Sequence, residues 1–200
     1  MRVSLPTLAA ECLGAFVLAF GVALSVADIS PLPTPVIAGL TLGTMVYVFG
    51  NVSGCHINPA VTLGLWSRGG VKTEKAIAYV IAQLIGGLLA VFVTASAFGK
   101  VPVFDTGSNG LAIVVAEAAG AFLLVLGVSA VVDGRVSQGA SGVTIGSSLL
   151  LGILVAAHWS AGIVNPAVAV GLGSVSLSYL FAPVAGGIAA AQVSRLWMKK

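Results

Sequence analysis

The sequence predicts an all-α membrane protein: six transmembrane helices plus two re-entrant half-helices, arranged as an inverted three-plus-three repeat. Three observations lead there. Of 200 residues, 58% are hydrophobic and 8% charged, with a mean hydropathy of +1.10, whereas soluble domains carry about 25% charged residues. Apolar stretches long enough to cross a bilayer, which takes about 20 residues, recur six times along the chain. The tripeptide Asn-Pro-Ala occurs twice, as Asn58-Pro59-Ala60 and Asn165-Pro166-Ala167.

The spans of the first half are 6–27, 33–53 and 74–98; those of the second are 109–131, 139–159 and 177–197. In isolation the first span resembles a secretory signal, with Ser25-Val26-Ala27 as a small-residue cleavage site. An internal repeat argues against that. The stretch Leu8 to Phe16 reads almost like Val114 to Phe122, placing Glu11 and Glu117 106 positions apart, and the two tripeptides stand 107 apart. Gly39-x-x-x-Gly43 in the second span has its counterpart in Gly142-x-x-x-Gly146 of the fifth, and Gly86-Gly87 in the third matches Gly186-Gly187 in the sixth. The duplication predicts a single transmembrane domain, 1–200, built from repeats of roughly 1–100 and 101–200. Three spans per repeat is an odd number, so the second copy enters the membrane upside down and equivalent elements face each other near the midplane. The paired small residues predict a close crossing of the second and fifth spans.

Segments 58–67 and 165–173 are too short to span and are predicted to be re-entrant half-helices. Asn is among the best N-cap residues and Pro is favoured at the first helical position, so Asn-Pro starts a helix. Inversion brings both starts to mid-membrane, where two positive dipole ends of about half a charge each repel cations. The Asn amides are free to donate to a neutral oxygen. Gly54, Cys55, His56 and Ile57 before one start, and Ala161, Gly162, Ile163 and Val164 before the other, are expected to line the pore with carbonyls, because irregular backbone at that depth must line a cavity or be buried in protein.

Arg2, Arg68, Lys72, Lys75, Arg135, Arg195, Lys199 and Lys200 fall on one side of this arrangement and Lys100 on the other, with Asp28 and Asp105 facing outward. That bias puts both termini in the cytoplasm and reads as topology rather than a nucleic-acid surface. Cys12 and Cys55 lie at different depths, so no disulfide is implied, and packing is their plain role. Cys55, near the cytoplasmic pore mouth, is a poor trap for a metalloid as a lone thiol. His56 has no second ligand at metal-binding spacing, and His158-Trp159 reads as an interfacial anchor. No nucleophile stands with a base and no cofactor motif is present, so an enzyme is not expected. Coupled transport would need an intramembrane ion site, for which no Asp or Lys is available.

The motifs Ala9-Ala10-Glu11, His56-Ile57-Asn58-Pro59-Ala60-Val61-Thr62, Tyr79-x-x-Ala82-Gln83-x-x-Gly86-Gly87 and Asn165-Pro166-Ala167 resemble those of the aquaporin, or major intrinsic protein, family over nearly the whole chain. The resemblance implies the aquaporin fold, a homotetramer with one pore per subunit, and Glu11 and Glu117 as supports of the re-entrant loops. It also implies a four-residue selectivity filter at Ala38, Ile153, Gly162 and Val168. Arg normally occupies the Val168 position. Without it the constriction is expected to be apolar and wider, passing neutral solutes larger than water. Glycerol facilitators of the family carry Asp where this chain has Ala169. The chain is more similar to bacterial members with an apolar residue replacing the Arg, which are associated with arsenic resistance. The resemblance therefore points to uncharged As(OH)3, with glycerol and water, crossing a bacterial-type inner membrane.

Overall fold

The structure, a computed structural model, describes residues 3–99 and 110–197. Arg2, Lys100, Asp105, Lys199 and Lys200 lie outside the described residues. The chain runs α1 (Leu5–Val26), α2 (Thr34–Ser53), α3 (Pro59–Ser67), α4 (Thr73–Phe98), α5 (Leu111–Val132), α6 (Ser141–Ala156), α7 (Pro166–Gly171) and α8 (Leu177–Ser194). Six of the described helical stretches are long and apolar enough to cross a membrane; α3 and α7 are the short ones, with 9 and 6 residues. The fifth span is shorter than its apolar run because a 3-10 turn, Gln138–Ala140, precedes it and the chain leaves the helix after Ala156 to enter a loop.

The two halves pack alike: α1 lies along α4, α5 along α8, and α2 crosses α6 between them. At that crossing a Cβ placed on Gly39 would sit 2.8 Å from the Gly146 carbonyl oxygen, and one on Gly43 2.8 Å from that of Gly142. The backbones themselves touch, which is what glycines four apart make possible. The other paired glycines seat the half-helices. A Cβ on Gly187 of α8 would lie 2.6 Å from the Ala60 carbonyl oxygen at the start of α3, and one on Gly87 of α4 would collide with the Ala167 carbonyl at the start of α7. The outward faces carry large apolar side chains such as Leu40, Phe92 and Phe181, each at least 60% exposed, as a lipid-facing surface requires.

One end of the bundle holds Arg68, Lys72, Arg135 and Arg195, at the ends of α3, α5 and α8 and the start of α4. Here the sequence reading needs a correction. Arg68 is more than a topology determinant: its guanidinium donates to Asp133 at 2.8 and 3.3 Å and to Ser194 Oγ at 3.1 Å, with the Arg68 and Asp133 side chains 4% and 5% exposed. Arg135 reaches the same carboxylate at 3.1 Å. Gln192 of α8 donates to the Ser67 carbonyl at 2.9 Å. The C-terminal end of α3 is thus bolted to α5 and α8. Cys12 and Cys55 are free thiols.

Candidate functional site

Each half-helix is started by its own asparagine. Asn58 is extended (φ −154°, ψ 122°) and its Oδ1 accepts from the Ala60 N–H at 2.8 Å; Asn165 (φ −149°, ψ 113°) accepts from the Ala167 N–H at 2.9 Å. Pro follows each cap, where its missing N–H leaves nothing unsatisfied. The amide nitrogens then cross over. Asn58 Nδ2 donates to the Val164 carbonyl at 3.2 Å and Asn165 Nδ2 to the Ile57 carbonyl at 3.1 Å. Each half-helix start is laced to the loop of the opposite repeat, and each amide nitrogen retains one further hydrogen. The predicted meeting of the two starts is present.

The loops leading in are wound in an unusual way. Gly54, Cys55 and Ile57 have φ of +95°, +50° and +41°; Gly162 and Val164 have +65° and +57°. A β-branched residue in that region is a genuine outlier, and such conformations persist only when surroundings over-determine them. The over-determining groups are two buried carboxylates, both 0% exposed. Glu11 accepts from the His56 and Ile57 N–H groups at 2.9 and 2.7 Å, from Ser53 Oγ at 2.6 Å and from Gln83 Nε2 at 2.7 Å. Glu117 accepts from the Ile163 and Val164 N–H groups at 2.9 and 2.6 Å and from Ser160 Oγ at 2.7 Å. Tyr79 donates to the Ser53 carbonyl at 2.6 Å, and the Tyr179 hydroxyl accepts from the Ala161 N–H at 3.2 Å. Ser53, Ser160, Tyr79 and Tyr179 escaped the sequence reading as supports. The repeat could have found them, since the serines stand 107 positions apart and the tyrosines 100, like the flanking glycines.

Two vestibules flank the lacing. At the end away from Arg68, Ala38, Ile153, Gly162 and Val168 all face one cavity, together with Asn165, Ala161 and Ile163. The two helix-borne positions expected in the filter thus share this cavity with the loop-borne pair. The space open there to a water-sized sphere is about 20 Å³, room for about one water. Its walls are apolar apart from Thr34, Asn165 and loop backbone. The walls have the expected apolar character. The basic-end vestibule is larger, about 430 Å³, and is lined by Gly54, Cys55, His56 and Val61 among others. His56 is held by a 3.1 Å hydrogen bond between its Nδ1 and Thr62 Oγ1 and by an edge contact with Tyr79.

Two of the expected lining residues contribute differently. Ile57 and Val164, both 0% exposed, face neither vestibule. Their side chains fill the spaces left by Gly14 of α1 and Gly120 of α5, and their carbonyls are the acceptors for the opposite asparagines. At these two positions the course of the loop turns the side chain away from the pore and toward the helices. His158 and Trp159 are exposed at the end of α6 and pack edge to face at 5.2 Å.

The sequence model of the family described as "Major intrinsic protein" matches residues 3–194. Aquaporin Z of Photorhabdus laumondii is 34% identical over 224 residues, covering 94% of this chain and 96% of that one. Aquaporin NIP1-1 of Arabidopsis thaliana is 34% identical over 221 residues, covering 96% of this chain and 75% of its own. Among solved structures, that of the aquaglyceroporin from Plasmodium falciparum superposes with a TM-score of 0.77 at 24% identity, covering 94% of this chain and 93% of that one.

Proposed function

The chain belongs to the major intrinsic protein family and is a passive channel for small solutes, and we propose that its solutes are neutral polyhydroxy molecules, trivalent metalloid hydroxides such as As(OH)3 first, with glycerol and water beside them. The observation that carries this is the ring of Ala38, Ile153, Gly162 and Val168 around one vestibule. It offers no charge where the family usually places Arg, whose fixed fork of five donors favours water over bulkier solutes. Solute hydroxyls would be met by the spare Asn58 and Asn165 amide hydrogens and by loop carbonyls. The facing half-helix starts support exclusion of cations, and a proton current through the purified protein would refute that. The basic end is read as cytoplasmic, the membrane as a bacterial-type inner membrane, and the assembly as a homotetramer.

A second reading, a channel for water and glycerol without a metalloid role, draws on the outer cavity of about 20 Å³. Stopped-flow light scattering separates the two. Liposomes containing the protein, under an inward arsenite gradient, should shrink and then reswell rapidly, and Val168→Arg should suppress reswelling at least tenfold while leaving shrinkage largely intact. Shrinkage without arsenite-driven reswelling would leave the water reading.

A further inference from the structure

We infer that the channel reads its solute twice, and that Val46, Cys55, Val61 and Ile145 form a second specificity-determining ring at the basic end. This rests on the reading of the protein as a neutral-solute channel, and three observations carry it. The first is register. The helix-borne filter residues Ala38 and Ile153 stand 107 positions from Ile145 and Val46, and the loop-borne Gly162 and Val168 stand 107 from Cys55 and Val61. Two-fold inversion therefore carries one ring onto the other.

The second observation is placement. All four counterparts line the basic-end vestibule, as the filter residues line the opposite one. They are 2% to 7% exposed, close to the 1% to 5% of Ala38, Ile153 and Val168. The vestibule is wide at its mouth, where exposed Asn51, Gly134 and Gln138 line it; the ring lies deeper, against the loop before Asn58.

The third is the backbone at Cys55. Its φ of +50° matches the +65° of Gly162, a conformation that costs a residue with a Cβ about 1 kcal/mol or more. The opposite loop avoids that cost with glycine. Here a side chain is kept, and it narrows the ring at the position where the outer filter is most open. The two rings share Val at the half-helix position, but the basic-end ring has Ile for Ala and Cys for Gly, against one reduction, Val for Ile. Its side chains are the bulkier set, so a solute admitted at the outer ring is sized again before release.

The test compares glycerol and water permeability in proteoliposomes for wild type, Cys55→Gly, Val61→Phe and Val168→Phe. Cys55→Gly relieves backbone strain and opens the ring, and should raise the glycerol-to-water ratio at least threefold. Val61→Phe should lower that ratio tenfold, as Val168→Phe should at the other end. Ratios within twofold of wild type in both ring variants, with Val168→Phe still active on the ratio, would overturn the second ring; if Val61→Phe is not recovered folded, Cys55→Gly decides alone. A wild type that passes water but no glycerol would sink the larger-solute reading separately. The ring would then be judged on water flux, with Cys55→Gly raising it at least twofold and an unchanged flux overturning the proposal.

Discussion

The two repeats hold their loops with the same three groups and differ in nearly everything else around them. Glu11 with Ser53 and Tyr79 in one half corresponds to Glu117 with Ser160 and Tyr179 in the other. Where the first half adds His56, Thr62 and Gln83, the second has Ile163, Ala169 and Pro183, and where the first has Arg68 clasped to Asp133, the second has Val175. The difference separates what the backbone geometry requires from what one vestibule adds. A left-handed β-branched residue before each Asn comes with a carboxylate aimed at two consecutive N–H groups, and the serine, the tyrosine, the crossed Asn amide and the glycine seat recur with it. His56, Thr62, Gln83 and the Arg68 clasp belong to the basic-end half of this comparison.

The largest effect should come from breaking the shared part. Glu11→Leu strands the His56 and Ile57 N–H groups, and Glu117→Leu those of Ile163 and Val164. An unsatisfied buried donor costs about 1–3 kcal/mol, so each variant should lose about 2–6 kcal/mol and solute flux with it. Glu11→Leu should be the worse, because Gln83 loses an acceptor as well and Ser53 has none other among the described residues, whereas Ser160 keeps the Ala156 carbonyl. Thermal unfolding in detergent measures it; a stable, active Glu117→Leu would show that the common frame is not held by the carboxylates.

A loss no larger is expected from the unshared clasp. Asp133→Leu leaves Arg68 buried with Ser194 Oγ as its acceptor and no anion, at a cost of up to about 3–5 kcal/mol. The paired change Arg68→Met with Asp133→Leu should recover most of that melting temperature. If the pair melts no higher than Asp133→Leu alone, the clasp is not an ion pair whose cost lies in the unpaired charge.

Most of the frame was legible because duplication writes the same instruction twice. Asn58 and Asn165, the crossing glycines and the two glutamates each have a partner about 100 positions away, and a pattern repeated in inverted copies fixes both element and orientation. The aims of Ile57 and Val164 were not legible. Their sequence neighbours mark them as loop, and only the folded course of the backbone sends their side chains toward Gly14 and Gly120. Arg68 was hidden for the opposite reason: it has no repeat partner, and its acceptor Asp133 lies 65 positions along the chain.

The smallest effect sharpens the comparison most. Gln83 donates to Glu11 Oε2 at 2.7 Å and to Thr62 Oγ1 at 2.9 Å, yet its own Oε1 is buried with no hydrogen-bond partner. Two donated bonds contribute about 0.5–1.5 kcal/mol each, somewhat more toward a charge, and an orphaned carbonyl takes back about 1–3 kcal/mol. These nearly cancel. Gln83→Met, of similar length and without the orphan, should therefore change stability by no more than about 1 kcal/mol, in keeping with a second half in which Pro183, with no amide to donate, stands at the matching position. If Gln83→Met melts like Glu11→Leu, the amide belongs to the frame after all, and the two halves hold their loops by different means.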